Sequence, residues 1–178
     1  MNKDISDAMR FSLFEIWGET GRRTQIKVSG NSMKPLIDQN WTLIINHTKN
    51  IKIGDIIVFK KNGEMIAHRV VRILSKGILL TKGDALLDLD PLVYKSEIIG
   101  RVIGANKGNK DVDYENPKWA IINYFIAKYS YLTYIIFNYL RQIRYIFLGN
   151  RNKNLTIFFS KAYRMSTTFF PSLFFHLI

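Results

Sequence analysis

Cysteine is absent from this 178-residue chain. That excludes disulfides, thiolate nucleophiles and cysteine-based zinc sites together. Histidine is scarce: His47, His68 and His176 are the full set, too little material for a histidine metal cluster, and neither a metal nor a cofactor is expected. Acidic residues stop at Glu115. An uninterrupted apolar core is missing from the first 25 residues, which carry charges throughout. Neither a signal peptide nor a membrane anchor is therefore expected there.

What is present is a folded composition, 47% apolar and 22% charged, with a net charge of +12. The charge is uneven. Eight basic residues follow Glu115, from Lys118 to Arg164, leaving 18 of the 26 for the rest of the chain against all 14 acidic ones. The first part is thus mildly basic and the last third carries most of the excess. A basic, aromatic tail suits an anionic membrane surface better than a duplex groove, so lipid is an expected partner and nucleic acid is not.

The patterning divides the chain into four. Residues 1–23 hold a short helix, Asp4 to Glu19, with Ala8, Phe11, Leu13, Phe14, Ile16 and Trp17 on one side. Residues 24–105 hold short β-branched runs, such as "TQIKV", "DIIVFKK" and "MIAHRVVRIL", separated by turn signals at Lys61–Gly63 and Ser75–Gly77. This predicts a compact, mainly antiparallel β core, barrel-like or sandwich-like. No long helix interrupts it, which argues against a doubly wound α/β fold. Residues 106–118 read as a polar linker. Residues 119–178 form a hydrophobic, basic tail. Within it, Trp119–Leu140 has the ~20-residue length of a membrane-spanning helix, the leading expectation; a helix lying in the membrane interface comes next, and one packed on the protein's own core last.

One stretch stands apart, "VSGNSMKPLI" from Val28 to Ile37. Gly30 and Asn31 tolerate the dihedrals of a tight turn, and Ser32 would project from it. A serine hydroxyl becomes a nucleophile when a base lies within hydrogen-bonding reach and backbone N–H groups await the oxyanion. The candidate base is His68, placed by strand alternation with Ile66 and Val70 on a face opposite Met65, Ala67 and Arg69. A lone strand histidine is usually a satisfied core residue. His47, before a polar turn, and His176, in the tail, are weaker candidates. A carboxylate to orient the imidazole could come from Asp84, Asp88 or Asp90 in "TKGDALLDLDP". Asp55 and Asp84 follow glycines, where aspartate often serves the turn itself.

"SGNSMKP", "GDIIVF", "AHRVVRI" and "LTKGDALLDLDP", in that order from about Val28 to Gly104, resemble the boxes of type I signal peptidases and their relatives, a serine peptidase group that includes the LexA-like self-cleaving repressors. Many members place a lysine base where this chain has His68, so it resembles the Ser-His-Asp branch. The resemblance implies Ser32 as nucleophile, His68 as general base, and Asp90 as the orienting carboxylate with Asp84 structural or supporting. It also implies the Ser32 N–H, in the Asn31–Ser32–Met33 turn, as part of the oxyanion hole, with Met33 packing beside it. The implied function is a membrane-associated endopeptidase cutting a signal or leader peptide. Two alternatives stand beside it: a soluble, LexA-like self-processing or peptide-maturation protease, and a non-enzymatic basic binding module.

Overall fold

The computed structural model describes residues 23–148, with Lys161 and Met165 beyond them. The helix expected over Asp4–Glu19 and the rest of the tail, His176 included, lie outside the described residues. Seven strands form one antiparallel sheet: β1 (Arg23–Lys27), β2 (Thr42–Asn46), β3 (Ile56–Lys61), β4 (Glu64–Ile73), β5 (Leu79–Lys82), β6 (Ile98–Lys107) and β7 (Lys110–Asp113). A long helix, α1 (Pro117–Leu148), follows.

The burial periods explain the positions. In β2, Leu43 and Ile45 are fully buried between half-exposed neighbours, the alternation of a strand with one face on the core. In β3, "IIVF" is buried on both sides, which places it centrally. Ile56 and Val58 join one apolar cluster with Met33, Leu36, Ile37 and Trp41. Ile57 and Phe59 join a second with Val70, Leu79 and Val93. The β3–β4 hairpin turns through Asn62 and Gly63, both at positive φ, and pairs Lys61 with Glu64, as the "KNG" signal predicts.

The sheet runs β1-β2-β6-β3-β4-β5, with β7 on β6. It is open. The barrel or sandwich-like closure expected from the sequence does not form. The outer edge of β5 is taken by a bridge from Leu79 to Val93, hydrogen-bonded in both directions at 2.8 and 3.1 Å, so β1 does not meet it. The ten-residue β6 instead serves β2 along one edge and β3 and β7 in tandem along the other. The stretch read as a linker therefore contributes structure: β6 continues to Lys107 and turns back as β7.

The tail begins as α1, about 48 Å long at 1.5 Å per residue. Among the described residues no helix is long and apolar enough to cross a membrane. This corrects the spanning option for Trp119–Leu140, whose tyrosines, Asn123, Lys128, Ser130 and Thr133 dilute its apolar content. The helix docks on the β domain through Trp119, Asn123, Ile126, Ala127 and Ser130, all buried.

Candidate active site

The turn after Val28 is held by its own apolar residues. Met33, Leu36 and Ile37 are buried in the main core, and the Ile37 N–H donates to the Met33 carbonyl at 3.1 Å. That anchoring leaves Asn31 exposed and Ser32 half-buried at the rim. Met33 is therefore the packing residue beside Ser32. Among the described residues no acceptor is bonded to the Ser32 N–H, which leaves it free to meet an oxyanion.

His68 lies in β4 opposite Ile57 of β3. Its ring is nearly buried, with the edge of Phe59 6.3 Å away between centroids. It bridges two side chains distant in sequence. Nε2 is 2.9 Å from Ser32 Oγ, and Nδ1 is 2.7 Å from Asp90 Oδ2. An ionised carboxylate only accepts, so Nδ1–H donates to Asp90 and Nε2 is left to accept the serine proton. Asp90 is fixed twice by Thr81, whose hydroxyl donates to Oδ2 at 2.7 Å and whose carbonyl accepts the Asp90 N–H at 2.9 Å.

Asp84 does not join this line. It sits behind β4 and binds the Arg69 guanidinium through both oxygens, at 2.8 and 2.7 Å. Both side chains are almost completely buried. Its supporting role is thus to Arg69 rather than to the imidazole. Asp88 is exposed, 3.5 Å from Arg141 Nη1. Asp55 accepts from the Lys52 N–H at 2.7 Å, the turn-serving role typical of aspartate after glycine. His47 lies elsewhere, bonded to Thr24 Oγ1 at 2.8 Å and 3.2 Å from the Ile99 carbonyl. Among the described residues no three His, Asp or Glu side chains converge as metal ligands would.

Gly83 lets the acid-bearing loop reach the serine turn. A Cβ there would stand 2.8 Å from the Ser32 carbonyl oxygen and 2.9 Å from the Leu86 side chain. With no Cβ, the Ala85 N–H closes on that same carbonyl at 2.8 Å. Sequence reasoning missed Thr81, Arg69 and Lys82. The available signal was charge inside otherwise apolar strands: Arg69 and Lys82 are fully buried cations, paired across β4 and β5. Burial pulls the Arg69 guanidinium down, and Asp84, with Tyr114 and Asp55, more than offsets it. Burial pushes the Lys82 ammonium down to about 8, against the opposing pull of Asp84.

A family model, that of Peptidase S24-like proteins, matches residues 5–103, more than half of the chain. The chain belongs to this family. It is therefore a serine-type peptidase in the general sense, and Ser32, His68, Asp84 and Asp90 all fall inside the matched residues. Among curated proteins none matches the chain closely enough to count as a relative. The S24-like match ends before β7 and α1.

Proposed function

We propose that this Peptidase S24-like chain is an endopeptidase with Ser32 as nucleophile, His68 as general base and Asp90 as the orienting carboxylate. The observation that supports it is the continuous line from Ser32 Oγ through the imidazole to Asp90, at 2.9 and 2.7 Å. In the forward step the Ser32 Oγ–C bond forms, the hydroxyl proton passes to His68 Nε2, and the carbonyl electron pair moves onto oxygen. The Ser32 N–H meets that oxyanion. On collapse the C–N bond breaks and Nε2 returns the proton to the leaving amine. Water then repeats the sequence on the acyl-enzyme. Asp90 keeps the proton on Nδ1 throughout, so Nε2 alone takes up the serine proton and gives it back.

The substrate we assign is a signal or leader peptide supplied near a membrane. The four ordered boxes support this, as does the acid-free α1, whose Ile121, Phe125, Leu132 and Ile136 are exposed. The S24-like match favours a second reading, self-processing of the chain.

The test is a fluorophosphonate probe on the purified full chain. Covalent labelling at Ser32, lost in Ser32→Ala and His68→Ala, supports the mechanism. A folded wild-type chain that resists the probe, or a Ser32→Ala chain that is still labelled, overturns it. Mixing active enzyme with full-length Ser32→Ala chain, in parallel with a pre-protein, separates the substrates: cleavage of the inactive copy favours self-processing, and cleavage of the pre-protein alone favours the leader-peptide reading.

A further inference from the structure

The inner face of α1 has the wrong composition for a helix that docks only to bury apolar surface. Of the five residues buried on its described part, Trp119, Asn123, Ile126, Ala127 and Ser130, two are polar, while Ile121, Phe125, Leu132 and Ile136 are exposed. The buried polar pair has defined targets. Asn123 Oδ1 accepts from Arg69 Nη1 at 2.8 Å. Ser130 Oγ accepts from Lys82 Nζ at 2.8 Å. Farther along, Arg141 stands 3.5 Å from Asp88. Close contact is allowed at Gly54, where a Cβ would meet the Asn123–Tyr124 backbone at 2.8 Å and whose carbonyl accepts from Arg69 at 3.0 Å.

All these targets lie on, or hold, the segment from Lys82 to Asp90. Arg69 grips Asp84. Lys82 follows Thr81, the residue that holds Asp90 through two hydrogen bonds. Neighbouring residues of a strand face opposite ways. Thr81 therefore faces the imidazole side with Asp90, while Lys82 and Arg69 face α1. β5 is a short strand of four residues at the end of the sheet path; α1 packs against its neighbour β4 and reaches β5 through Ser130 and Lys82.

We propose that α1 is a positioning element of the active site, with Asn123 and Ser130 as positioning residues that hold the Lys82–Asp90 segment so that Asp90 stays against His68. The consequence for activity rests on the endopeptidase reading above; the geometric consequence does not. Asn123 supplies an acceptor to Arg69, which also grips Asp84, and Ser130 supplies one to Lys82, which also donates to the Gly83 carbonyl at 3.3 Å. Without them the cations seek other partners, and the segment that carries the orienting aspartate shifts with them. Misplacement of about 1 Å in such an arrangement costs about 100-fold in rate.

The experiment compares the full-length chain with Asn123→Leu, which fills similar space without an acceptor, Asn123→Asp, which restores one, and Ser130→Ala, which stays compatible with a buried helix. Two signals are read: the rate of fluorophosphonate labelling, and the far-downfield proton resonance of the His68 Nδ1–H bonded to Asp90. The expected result is labelling slowed about 10- to 100-fold, with the resonance weakened, in Asn123→Leu and Ser130→Ala, and both signals recovered in Asn123→Asp. Folded Asn123→Leu or Ser130→Ala chains with wild-type labelling and an intact resonance overturn the proposal; if Asn123→Leu does not fold, Ser130→Ala decides. The resonance reports the geometry whether or not Ser32 attacks, so a wild-type chain that shows the resonance but resists the probe overturns the hydrolase reading alone.

Discussion

His68 and Arg69 are adjacent in sequence and occupy opposite sides of β4. On one side the imidazole meets Ser32 and Asp90, with the half-buried serine at the rim. On the other, a fully buried guanidinium meets Asp84, Gly54 and Asn123. Each side uses one aspartate of the same loop. The difference teaches that two carboxylates six residues apart can divide the work. Asp90 meets the imidazole, and Asp84 neutralises the buried cation behind the same strand. A buried ion pair of this kind adds little net stability, yet breaking it leaves an uncompensated charge.

The comparison can be broken first at the chemical side. Ser32→Ala and His68→Ala should each lower turnover by up to about 10⁶-fold, measured as fluorophosphonate labelling or peptide cleavage, with the urea midpoint little changed in Ser32→Ala. Asp90→Asn should lower it about 10⁴-fold by favouring the wrong imidazole tautomer, again with the fold intact. Asp84→Asn should reverse that profile. Stability should fall by about 3–5 kcal/mol in urea unfolding, because Arg69 loses its counter-charge inside the protein, while labelling per folded molecule falls less than in Asp90→Asn. Equal losses of activity and equal stabilities in the two aspartate variants would erase the distinction between the sides.

Lys82 gives a pH test of the buried side. Its ammonium is pushed down to about 8 by burial, whereas an exposed lysine titrates near 10.4. Between those values the unfolded chain binds more protons than the folded one, so stability rises with pH. The full penalty is present below about pH 8 and is relieved above it. Tyr114 ends the rise: burial pushes its phenol up, so the unfolded chain ionises first, from about pH 10, and stability then falls. Urea unfolding from about pH 8 to about pH 10 should show a gain of about 2–3 kcal/mol, and Lys82→Met should flatten it. Smaller still, Gly83→Ala should cost about 1–3 kcal/mol through overpacking against the Ser32 carbonyl and Leu86, read as a lower thermal midpoint together with slower labelling.

Much of this was legible in local pattern. "IIVF" in β3 and the alternation of β2 announced strands because burial on two faces or one leaves period-specific marks. "KNG" announced its hairpin because Asn and Gly accept positive φ. The Ser32, His68 and Asp90 set was legible through the ordered boxes, since turn chemistry around a serine and a histidine in a strand are short-range features. The linker reading of residues 106–118 missed β7, whose "KDVD" carries little apolar signal and pairs only because β6 runs on beside it. The spanning reading of Trp119–Leu140 missed the inner face of α1, because Asn123 and Ser130 in a greasy helix look like dilution until Arg69 and Lys82 are found opposite them.

By itself the amino-acid order determined the strand runs, the serine turn with its buried Met33, Leu36 and Ile37, and the absence of thiol chemistry, because each depends on neighbours a few residues apart. Only the tertiary structure decided which aspartate meets the imidazole, why the sheet stays open, and which side chains the helix meets. Those outcomes depend on strand register and on pairings across 22 to 54 residues, where a shift of one residue turns a side chain to the other face.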